Sequence, residues 1–418
     1  MKKVTSSLLA GLMTVALLSG CGSAAASTTQ TASSQADAES TGTTATATGD
    51  VEIWYYWERE SHQAALDKVI TDYNASQSDI TVTAKYVPFA DFKKQLSIGV
   101  TADELPDMVI LDSPDHASYA SMGIFADLTG LVDTSSYYDG PIASCTLDGK
   151  LYGVPFGSNC LSLYYNVDML NAAGVSVPTT WDELKTAAAA LTSGKVTGLA
   201  FCSVQNEEGT FNFMPWVWST GASSFEIGTE NGIKALSFVQ SLVNDGSMSK
   251  ECINWTQGDV MNQFISGNVA MMVNGPWQVA TIRSEAPNLK WDVTLIPKDT
   301  EYASVLGGEN YAVIEGGNKE AALAFLDYAT QAEQVKYMMD AFGYIAARSD
   351  IAGAQFADDP IMQKFVEQMK YAKPRGPHKE WPSISDAISL AFNEVMTNSK
   401  TPQDAAAQAQ ATIDSIIG

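Results

Sequence analysis

The alternation of strand and helix patterns constrains the fold of this chain more than any other feature of its sequence. Residues 51–57 and 80–87 are rich in β-branched and aromatic side chains, a composition typical of strands. Between them, Ser61 can cap a helix with a regularly spaced apolar face. Residues 89–100 look helical and are followed by a short apolar strand at 108–111. This β-α-β-α-β order predicts a mostly parallel sheet with helices on both faces.

Helix signals recur in the second half of the chain. Thr180 and Glu183 have capping-box spacing ahead of a helix that we expect to end near Gly194. Asn318 can cap another helix, and Thr401-Pro402 opens the last one, with proline at its favoured first position. About 370 residues follow the N-terminal region, more than one hydrophobic core usually holds. The pattern therefore predicts an α/β protein with two lobes.

The N-terminus has the features of an export signal. Lys2 and Lys3 precede a mostly apolar run at residues 4–18, which is shorter than the roughly 20 residues needed to span a bilayer. The run ends in Leu18-Ser19-Gly20-Cys21, which resembles the lipobox of bacterial lipoproteins, where the chain is cut before a lipid-bearing cysteine. We therefore expect residues 1–21 to be a lipoprotein signal peptide with lipidation at Cys21. An ordinary secretion signal with an incidental cysteine is the alternative.

The next segment, residues 22–49, consists almost entirely of Ser, Thr, Ala, Gly and Gln. Such a composition offers too little apolar surface to offset the entropy of ordering, so it predicts a disordered linker. As a flexible coil it would have an end-to-end distance of roughly 30 Å. A folded domain on this linker could reorient while it stays near the membrane.

Charge and missing motifs exclude several classes of function. The formal charge of −24 disfavours nucleic acid and anionic lipid as partners. His62, His116 and His378 are far apart in sequence, and no metal site is expected. Since there is no GxSxG, HExxH, P-loop, GxGxxG or EF-hand pattern, no cofactor and no catalytic residue are assigned. Nothing singles out a carboxylate pair for glycoside hydrolysis, so we expect a protein that is not an enzyme.

Four cysteines follow Cys21: Cys145, Cys160, Cys202 and Cys252. Disulfides can persist outside the cell, and the turn-rich segment between Cys145 and Cys160 could bring these two together. A Cys145–Cys160 disulfide is therefore one expectation, and free thiols are the alternative. Cys202–Cys252 is a weaker candidate, and no pair has the CxxC spacing of a redox or zinc site.

Several of the nine tryptophans lie next to Gly, Pro or charged residues. Pyranose rings have apolar C–H faces and polar edges, so an aromatic face can stack on the ring while polar side chains bind its hydroxyls. The alternative is that the tryptophans fill the core, which we prefer for Trp54, Trp181 and Trp291. Candidates for sugar stacking are Trp57, Trp216, Trp218, Trp277 and Trp381.

Several stretches in a shared order resemble the extracellular solute-binding proteins of bacterial ABC importers, in the family that includes maltose-binding protein. The stretches are LPDMVILD at 105–112, GIFADL at 123–128, DGKLYGVP at 148–155, LYYNVDML at 163–170, PTTWDEL at 178–184, FISGNVAMMVNGPW at 264–277 and GGEN at 307–310. The resemblance covers residues 50–350, and the N-terminal lipobox agrees with it.

The resemblance implies a two-lobe periplasmic-binding-protein-like fold with a hinge and a ligand cleft between the lobes. The first lobe would comprise residues 50–160 and 306–348, and the second residues 161–305 and 349–418. A carbohydrate, expected to be an oligosaccharide, would stabilise the hinge-closed state. An ABC transporter permease in the membrane would then recognise that state.

The resemblance also implies ligand-binding residues. Trp277 matches a position that often stacks on sugar, and Glu58, Asp112 and Asp115 match positions that often bind hydroxyls. Asp115 precedes a helix-like sequence, so a helix cap is its alternative role. The remaining expected contacts are Trp57, Trp218, Gly308, Glu309, Asn310, Arg348 and Trp381, with Arg375 as a further polar candidate.

The sequence therefore predicts a monomeric carbohydrate-binding lipoprotein on the outer face of the cell membrane of a Gram-positive bacterium. The partners would be a sugar and ABC permease subunits. A surface glycan hydrolase is one alternative function, because it would use the same aromatics with a carboxylate pair. A binding protein that serves a sensor is the other, because the sequence has no recognisable permease-binding motif.

Overall fold

The computed structural model describes residues 47–102 and 104–418. Residues 1–21, with the expected lipidation site Cys21, lie outside these ranges, as do residues 22–46 of the expected linker. Gly49, placed in the linker by the sequence, is the first residue of a strand. No helix within the described ranges is both long and apolar enough to cross a membrane.

The strands are short, and they fall in two main groups along the chain. They are β1 Gly49–Tyr55, β2 Ile80–Tyr86, β3 Met108–Asp112, β4 Thr146–Leu147, β5 Lys150–Leu151, β6 Val154–Pro155, β7 Asn159–Cys160, β8 Ser162–Asn166, β9 Thr197–Ala200, β10 Val269–Asn274, β11 Trp291–Thr294, β12 Ser304–Gly307, β13 Glu309–Val313 and β14 Ala372–Pro374.

Helices cover most of the remaining chain. They are α1 Glu60–Ser76, α2 Phe89–Ala102, α3 His116–Ser121, α4 Asp139–Ser144, α5 Val167–Ala173, α6 Trp181–Leu191, α7 Glu207–Ser219, α8 Glu230–Asn244, α9 Gln257–Ile265, α10 Val279–Glu285, α11 Lys319–Ala329, α12 Ala332–Phe342, α13 Ser349–Ala352, α14 Pro360–Met369, α15 Trp381–Met396 and α16 Pro402–Ile417. Short 3-10 helices occupy Ser113–Asp115, Lys250–Asn254 and Pro276–Gln278.

The first sheet has the strand order β2-β1-β3-β13-β6. β1 pairs in parallel with β2 and β3, as the β-α-β-α-β pattern predicts, whereas β13 runs antiparallel to β3 and β6. The five residues of β3 and of β13 are all buried, which suits strands covered on both faces. The first lobe is built around this sheet.

The second sheet has the order β11-β8-β10-β9. β10 pairs antiparallel with β8 and in parallel with β9. Its six residues are all buried, and α7 and α15 pack beside the sheet with apolar side chains such as Phe213 and Phe392, whose rings stack 4.6 Å apart. The second lobe is built around this sheet.

A third, three-stranded sheet connects the lobes in the order β14-β12-β7. β7 follows the first sheet directly and leads into β8 of the second. β12 returns the chain to β13 of the first sheet, with only Gly308 between them. Because two strands that join the lobes pair with each other here, this sheet is the hinge.

Local sequence signals explain some of the helix starts in the described residues. Thr180 accepts a hydrogen bond from the Glu183 amide and forms the predicted capping box of α6, which ends at Leu191. Thr401 caps α16 as predicted. The predicted cap by Ser61 is wrong, because α1 begins one residue before it, at Glu60. Asn318 precedes α11, but its amide donates to the carbonyl oxygens of Thr48 and Asp50 instead of capping the helix.

The predicted Cys145–Cys160 disulfide is wrong, since both residues are buried free thiols. The segment between them contains a tight turn at Asp148-Gly149, which joins β4 to β5. Beyond this turn the chain does not return to Cys145, because it enters the first sheet as β6 and reaches the hinge sheet as β7, which carries Cys160. Cys202 and Cys252 are likewise buried and free.

Candidate ligand-binding site

A cavity of about 450 Å³ lies between the two lobes. Its volume falls within the roughly 300–1,000 Å³ usual for small-molecule sites. Seven aromatic side chains contribute to its wall: Tyr56, Trp57, Tyr86, Phe89, Phe211, Trp277 and Tyr344. Ionisable and amide side chains surround them: Glu58, Arg59, His62, Asp112, Asn159, Asn206, Glu207, Glu208, Gln257, Gln278, Glu309 and Arg375. Aromatic rings and hydrogen-bonding groups therefore line one cavity together.

The first lobe contributes residues that lie just beyond its strands. Tyr56 and Trp57 follow β1, and Asp112 is the last residue of β3. Glu309 begins β13, which runs antiparallel to β3, so its first residue pairs with Asp112 at the same edge of the sheet. Ligands of open α/β sheets bind outside the carboxyl ends of the strands, and the cavity has this position.

Arg375 joins the two lobes at the floor of the cavity. Its guanidinium donates to both carboxylate oxygens of Asp112, at 3.0 and 2.9 Å, and to the Glu207 carboxylate at the start of α7. Phe211 lies 4.5 Å beneath the guanidinium. The arginine is 3% exposed, and its two carboxylate neighbours raise its pKa against the opposing effect of burial. One guanidinium thereby binds both carboxylates and holds them in fixed orientations.

Arg59 makes a second contact between the lobes, at the cavity edge. It precedes α1 in the first lobe, and its guanidinium donates to Thr281 Oγ1 at 2.7 Å and to Gln278 Oε1, both in the second lobe. Gln278 is itself held by the carbonyl of Gln257 and by Asn274 Oδ1, each at 3.2 Å. These bonds join the two lobes at the edge of the cavity.

Besides the exposed Glu58, two carboxyl groups in the wall lack a cationic partner. Burial raises the pKa of Glu208 to about 7, and the charges of Glu58 and Asp259 act in the same direction. Burial likewise raises the pKa of Glu309 to about 7, with Asp112 adding to the effect. Near neutral pH these two groups titrate, and both reach the cavity.

Trp277 follows the tight Asn274-Gly275-Pro276 segment and forms part of a 3-10 helix. Its ring lies 6.2 Å from Phe211 and 6.2 Å from Tyr344, measured between ring centroids. A Cβ on Gly275 would lie 2.0 Å from this indole, so only glycine allows the ring to fold back over the chain. Trp277 is partly buried and packs against the apolar clusters of both lobes.

The structure brings several of the predicted site residues together in the cavity wall. Those that line it are Trp57, Glu58, Asp112, Trp277, Gly308 and Glu309, together with Arg375. The positions come from sequence segments up to 318 residues apart, since Trp57 and Arg375 meet at one cavity. Their roles as ligand contacts stay predictions.

Two predicted residues lie behind the wall. Asp115 is 4% exposed and pairs with Lys93 Nζ at 2.9 Å, so its carboxylate faces a lysine instead of the cavity. Burial raises its pKa to about 7, and this lysine opposes the rise. Its alternative role as a helix cap is not realised, because no capping hydrogen bond is present. Asn310 is 1% exposed and exchanges hydrogen bonds with Ser144.

Trp218, Arg348 and Trp381 also lie away from the cavity, which corrects their expected placement. Trp218 is buried in α7, with its Nε1 donating to Ser224. Arg348 binds Asp350 and the Thr330 carbonyl at the surface. Trp381 is fully buried and supports the wall from behind, because its Nε1 donates to both Glu207 oxygens at 3.1 Å.

Sequence reasoning missed four notable residues of the wall: Tyr56, Glu207, Phe211 and Tyr344. Tyr56 adjoins Trp57 directly after β1, a position that could have identified it. Glu207 and Phe211 lie in the first turns of a helix, where an acidic residue favours the helix N-terminus in any protein. Tyr344 carries no local signal. Within the described ranges, no group of three or more His, Cys, Asp and Glu is arranged to hold a metal ion.

Comparison with known proteins adds to this geometry. Residues 68–364 match the model of a family described as bacterial extracellular solute-binding protein. The lactose-binding protein of Rhizobium radiobacter is 29% identical over 302 residues, which cover 67% of the chain and 70% of the relative. A maltooligosaccharide ABC transporter solute-binding lipoprotein of Streptococcus pneumoniae is 24% identical over 382 residues, covering 86% of the chain and 87% of the relative.

Solved structures agree with the fold. The GacH receptor of Streptomyces glaucescens, solved without ligand and with acarbose, superposes with a TM-score of 0.79 at 26% identity, covering 88% of the chain and 98% of that structure. A solute-binding protein of Thermotoga lettingae bound with α-D-tagatose superposes with a TM-score of 0.82 at 24% identity, covering 88% of the chain and all of that structure. The predicted two-lobe α/β fold with hinge and interlobe cleft is confirmed.

Proposed function

The chain belongs to the family of bacterial extracellular solute-binding proteins, and from this premise we propose that it captures a carbohydrate and delivers it to an ABC transporter. The observation that carries the proposal is the interlobe cavity, in which seven aromatic side chains alternate with carboxylates and amides. A pyranose presents the complementary surface, since its C–H faces stack on rings and its hydroxyls bond to polar groups. The relatives named for lactose and maltooligosaccharide support the same ligand class.

The ligand class can be narrowed by charge. Five carboxyl groups line the cavity, and of its two arginines Arg375 is already paired with Asp112 and Glu207. Arg59 is bound to the opposite lobe. Among the described residues that line the cavity, carboxyl groups therefore outnumber guanidinium groups, which disfavours an anionic ligand. We infer that the ligand is an uncharged sugar, and we propose an oligosaccharide because a relative is named for maltooligosaccharide.

Capture would proceed by hinge closure without any bond being made or broken. A ligand that touches both walls has greater affinity for the closed state than for the open state, and so it shifts the population toward closure. We propose that the lobes comprise the ranges predicted from the sequence, with one change. Ile351 packs in the core of the first lobe, and the second-lobe core resumes at Met362. The third crossing between lobes would then fall between these two residues.

The proposed place of action is the outer face of the cell membrane of a Gram-positive bacterium, with lipid on Cys21. The lipobox-like sequence at residues 18–21 and the lipoprotein among the relatives support this anchor. Replacing Cys21 with Ala should release the protein from the membrane fraction into the medium when it is expressed in a Gram-positive host. The full-length wild-type chain is the control, and a C21A protein that stays in the membrane fraction as completely as wild type contradicts the lipid anchor.

Binding is tested with purified residues 47–418. The protein is titrated with a panel of neutral mono- and oligosaccharides, following tryptophan fluorescence and melting temperature. We expect at least one oligosaccharide to quench or shift the emission and to raise the melting temperature. If the whole panel gives neither effect, the carbohydrate proposal is wrong. The same mixtures, incubated with labelled glycans, should contain no released product, and product formation would favour the hydrolase instead.

A further inference from the structure

One oxygen atom holds three side chains of the cavity wall. Glu309 Oε1 accepts hydrogen bonds from Tyr56 Oη at 2.9 Å, Trp57 Nε1 at 3.0 Å and Tyr344 Oη at 3.1 Å. All three donors belong to aromatic residues that line the cavity. The contact therefore fixes the polar tips of three rings in the cavity wall.

These rings come from separate parts of the chain. Tyr56 and Trp57 follow β1, and Tyr344 follows α12. Glu309 begins β13 and is preceded by Gly308, which separates it from the hinge strand β12. A single carboxylate thus connects the hinge to two otherwise independent segments of the wall.

Packing alone would leave the rings less precisely oriented. Trp57 contacts Phe342 edge-on at 4.5 Å and Phe156 at 4.9 Å between ring centroids. Tyr344 packs against Phe342 at 5.5 Å and against Trp277 at 6.2 Å. Packing between rings allows offset-stacked and edge-to-face arrangements, whereas hydrogen bonds weaken steeply when their angle is poor. The hydrogen bonds to Glu309 therefore select one orientation of each ring. Because Tyr344 packs against Trp277, the orientation of Tyr344 also constrains that of Trp277.

Glu309 lines the cavity but is largely covered by its neighbours. The residue is 4% exposed, and its second oxygen, Oε2, is buried without a hydrogen-bond partner in the described part of the chain. The hydrogen bonds of its carboxyl group are therefore those to the three rings, through which it can act on a ligand.

We propose that Glu309 is a positioning residue that determines which sugar the protein prefers, by fixing the angles of Tyr56, Trp57 and Tyr344. The inference rests on the proposed carbohydrate function. A stacked sugar is recognised by the tilt of the rings as well as by their presence. Without Glu309 Oε1 as the common acceptor, the protein should discriminate less between sugars that differ only in linkage.

The test compares Glu309→Leu with Glu309→Gln. Leucine keeps the approximate volume and removes the acceptor, whereas glutamine keeps an acceptor oxygen for the three donors. In protein without ligand, we expect the near-ultraviolet circular dichroism of E309L to lose intensity in the tryptophan and tyrosine bands, and that of E309Q to resemble wild type. Should E309L fail to fold, the double variant Tyr56→Phe and Tyr344→Phe removes two of the three donors while keeping both rings.

The decisive measurement is the ratio of affinities for linkage isomers, with maltotriose and cellotriose as probes along with any stronger pair from the panel. E309L should bring that ratio at least about fivefold closer to one, and E309Q should retain it. A purely structural role would lower the melting temperature and leave the ratio unchanged, which would overturn the inference, as would an unaltered near-ultraviolet spectrum. Failure of wild type to bind any glycan would instead contradict the proposed function.

Discussion

Trp277 is the side chain whose loss should reduce ligand affinity most directly. It is partly buried between the apolar clusters of both lobes and faces the cavity beside Phe211 and Tyr344. Replacing it with Ala should weaken carbohydrate binding by about 1–3 kcal/mol, the range for loss of a stacking aromatic. Isothermal titration of the variant with the best sugar of the panel measures the effect.

Trp291→Ala is a matched control for this substitution. Trp291 is also partly buried, but it stacks on Tyr164 at 5.6 Å within the second lobe and does not line the cavity. Its loss should lower the melting temperature while leaving the affinity close to that of wild type. Equal affinities for W277A and wild type, with an intact fold, would remove Trp277 from the site.

At the scale of elements, the hinge depends on a residue without a side chain. Gly308, between β12 and β13, has a φ of 137°, and a Cβ there would lie 2.0 Å from the carbonyl oxygen of Gly157. Gly308→Ala should therefore force β13 away from the opposing segment and destabilise the protein. It should also displace Glu309 and weaken sugar binding. Urea unfolding and titration of the same preparation measure both effects.

Gly174→Ala separates the backbone effect from the steric one. Gly174 ends α5 with a φ of 68°, and a Cβ there would meet no atom within 4 Å. This variant should lose only the roughly 1–2 kcal/mol that a left-handed conformation costs an L-residue, with affinity unchanged. If G308A is as stable as G174A, a Cβ at Gly308 does not clash with the carbonyl oxygen of Gly157, and the prediction is wrong.

For the molecule as a whole, Glu208 and Glu309 should make stability depend on pH in an unusual direction. Their pKa is about 7 in the folded state, against an ordinary value of 4.5. Between these values the folded chain holds protons that the unfolded chain has released. Stability contributed by the neutral groups is therefore full below about pH 4.5 and is lost as pH rises towards 7 and beyond.

The size of this effect is on the order of 1–3 kcal/mol for each group. The free energy of unfolding, measured with urea, should decrease between pH 5 and pH 8. The decrease should be smaller in the double variant Glu208→Gln and Glu309→Gln than in wild type, because glutamine does not titrate. Charged neighbours of the two groups, namely Glu58, Asp112 and Asp259, are unchanged in both proteins. An identical loss in the variant would mean that other groups determine the pH dependence.

Local pattern predicted the elements well and the cavity wall only in part. β-branched composition and capping signals identified β1, β2, α6 and α16, because those signals act within a few residues. The wall depends on pairs such as Arg375 with Asp112, which are 263 residues apart, and no local pattern encodes such a contact. Trp381 shows the converse error: its charged and proline neighbours made it a candidate for sugar stacking, whereas the residue begins α15 and its indole is fully buried.

The four buried cysteine thiols affect how the protein folds and remains stable outside the cell. Cys145, Cys160, Cys202 and Cys252 are buried and uncombined, and burial raises the pKa of Cys252 to about 12, so the reactive thiolate is scarce at neutral pH. No disulfide has to form for residues 47–418 to reach their folded structure. The described part of the chain can therefore fold without an oxidase or a disulfide isomerase. An anaerobic, reducing environment would not lower its stability.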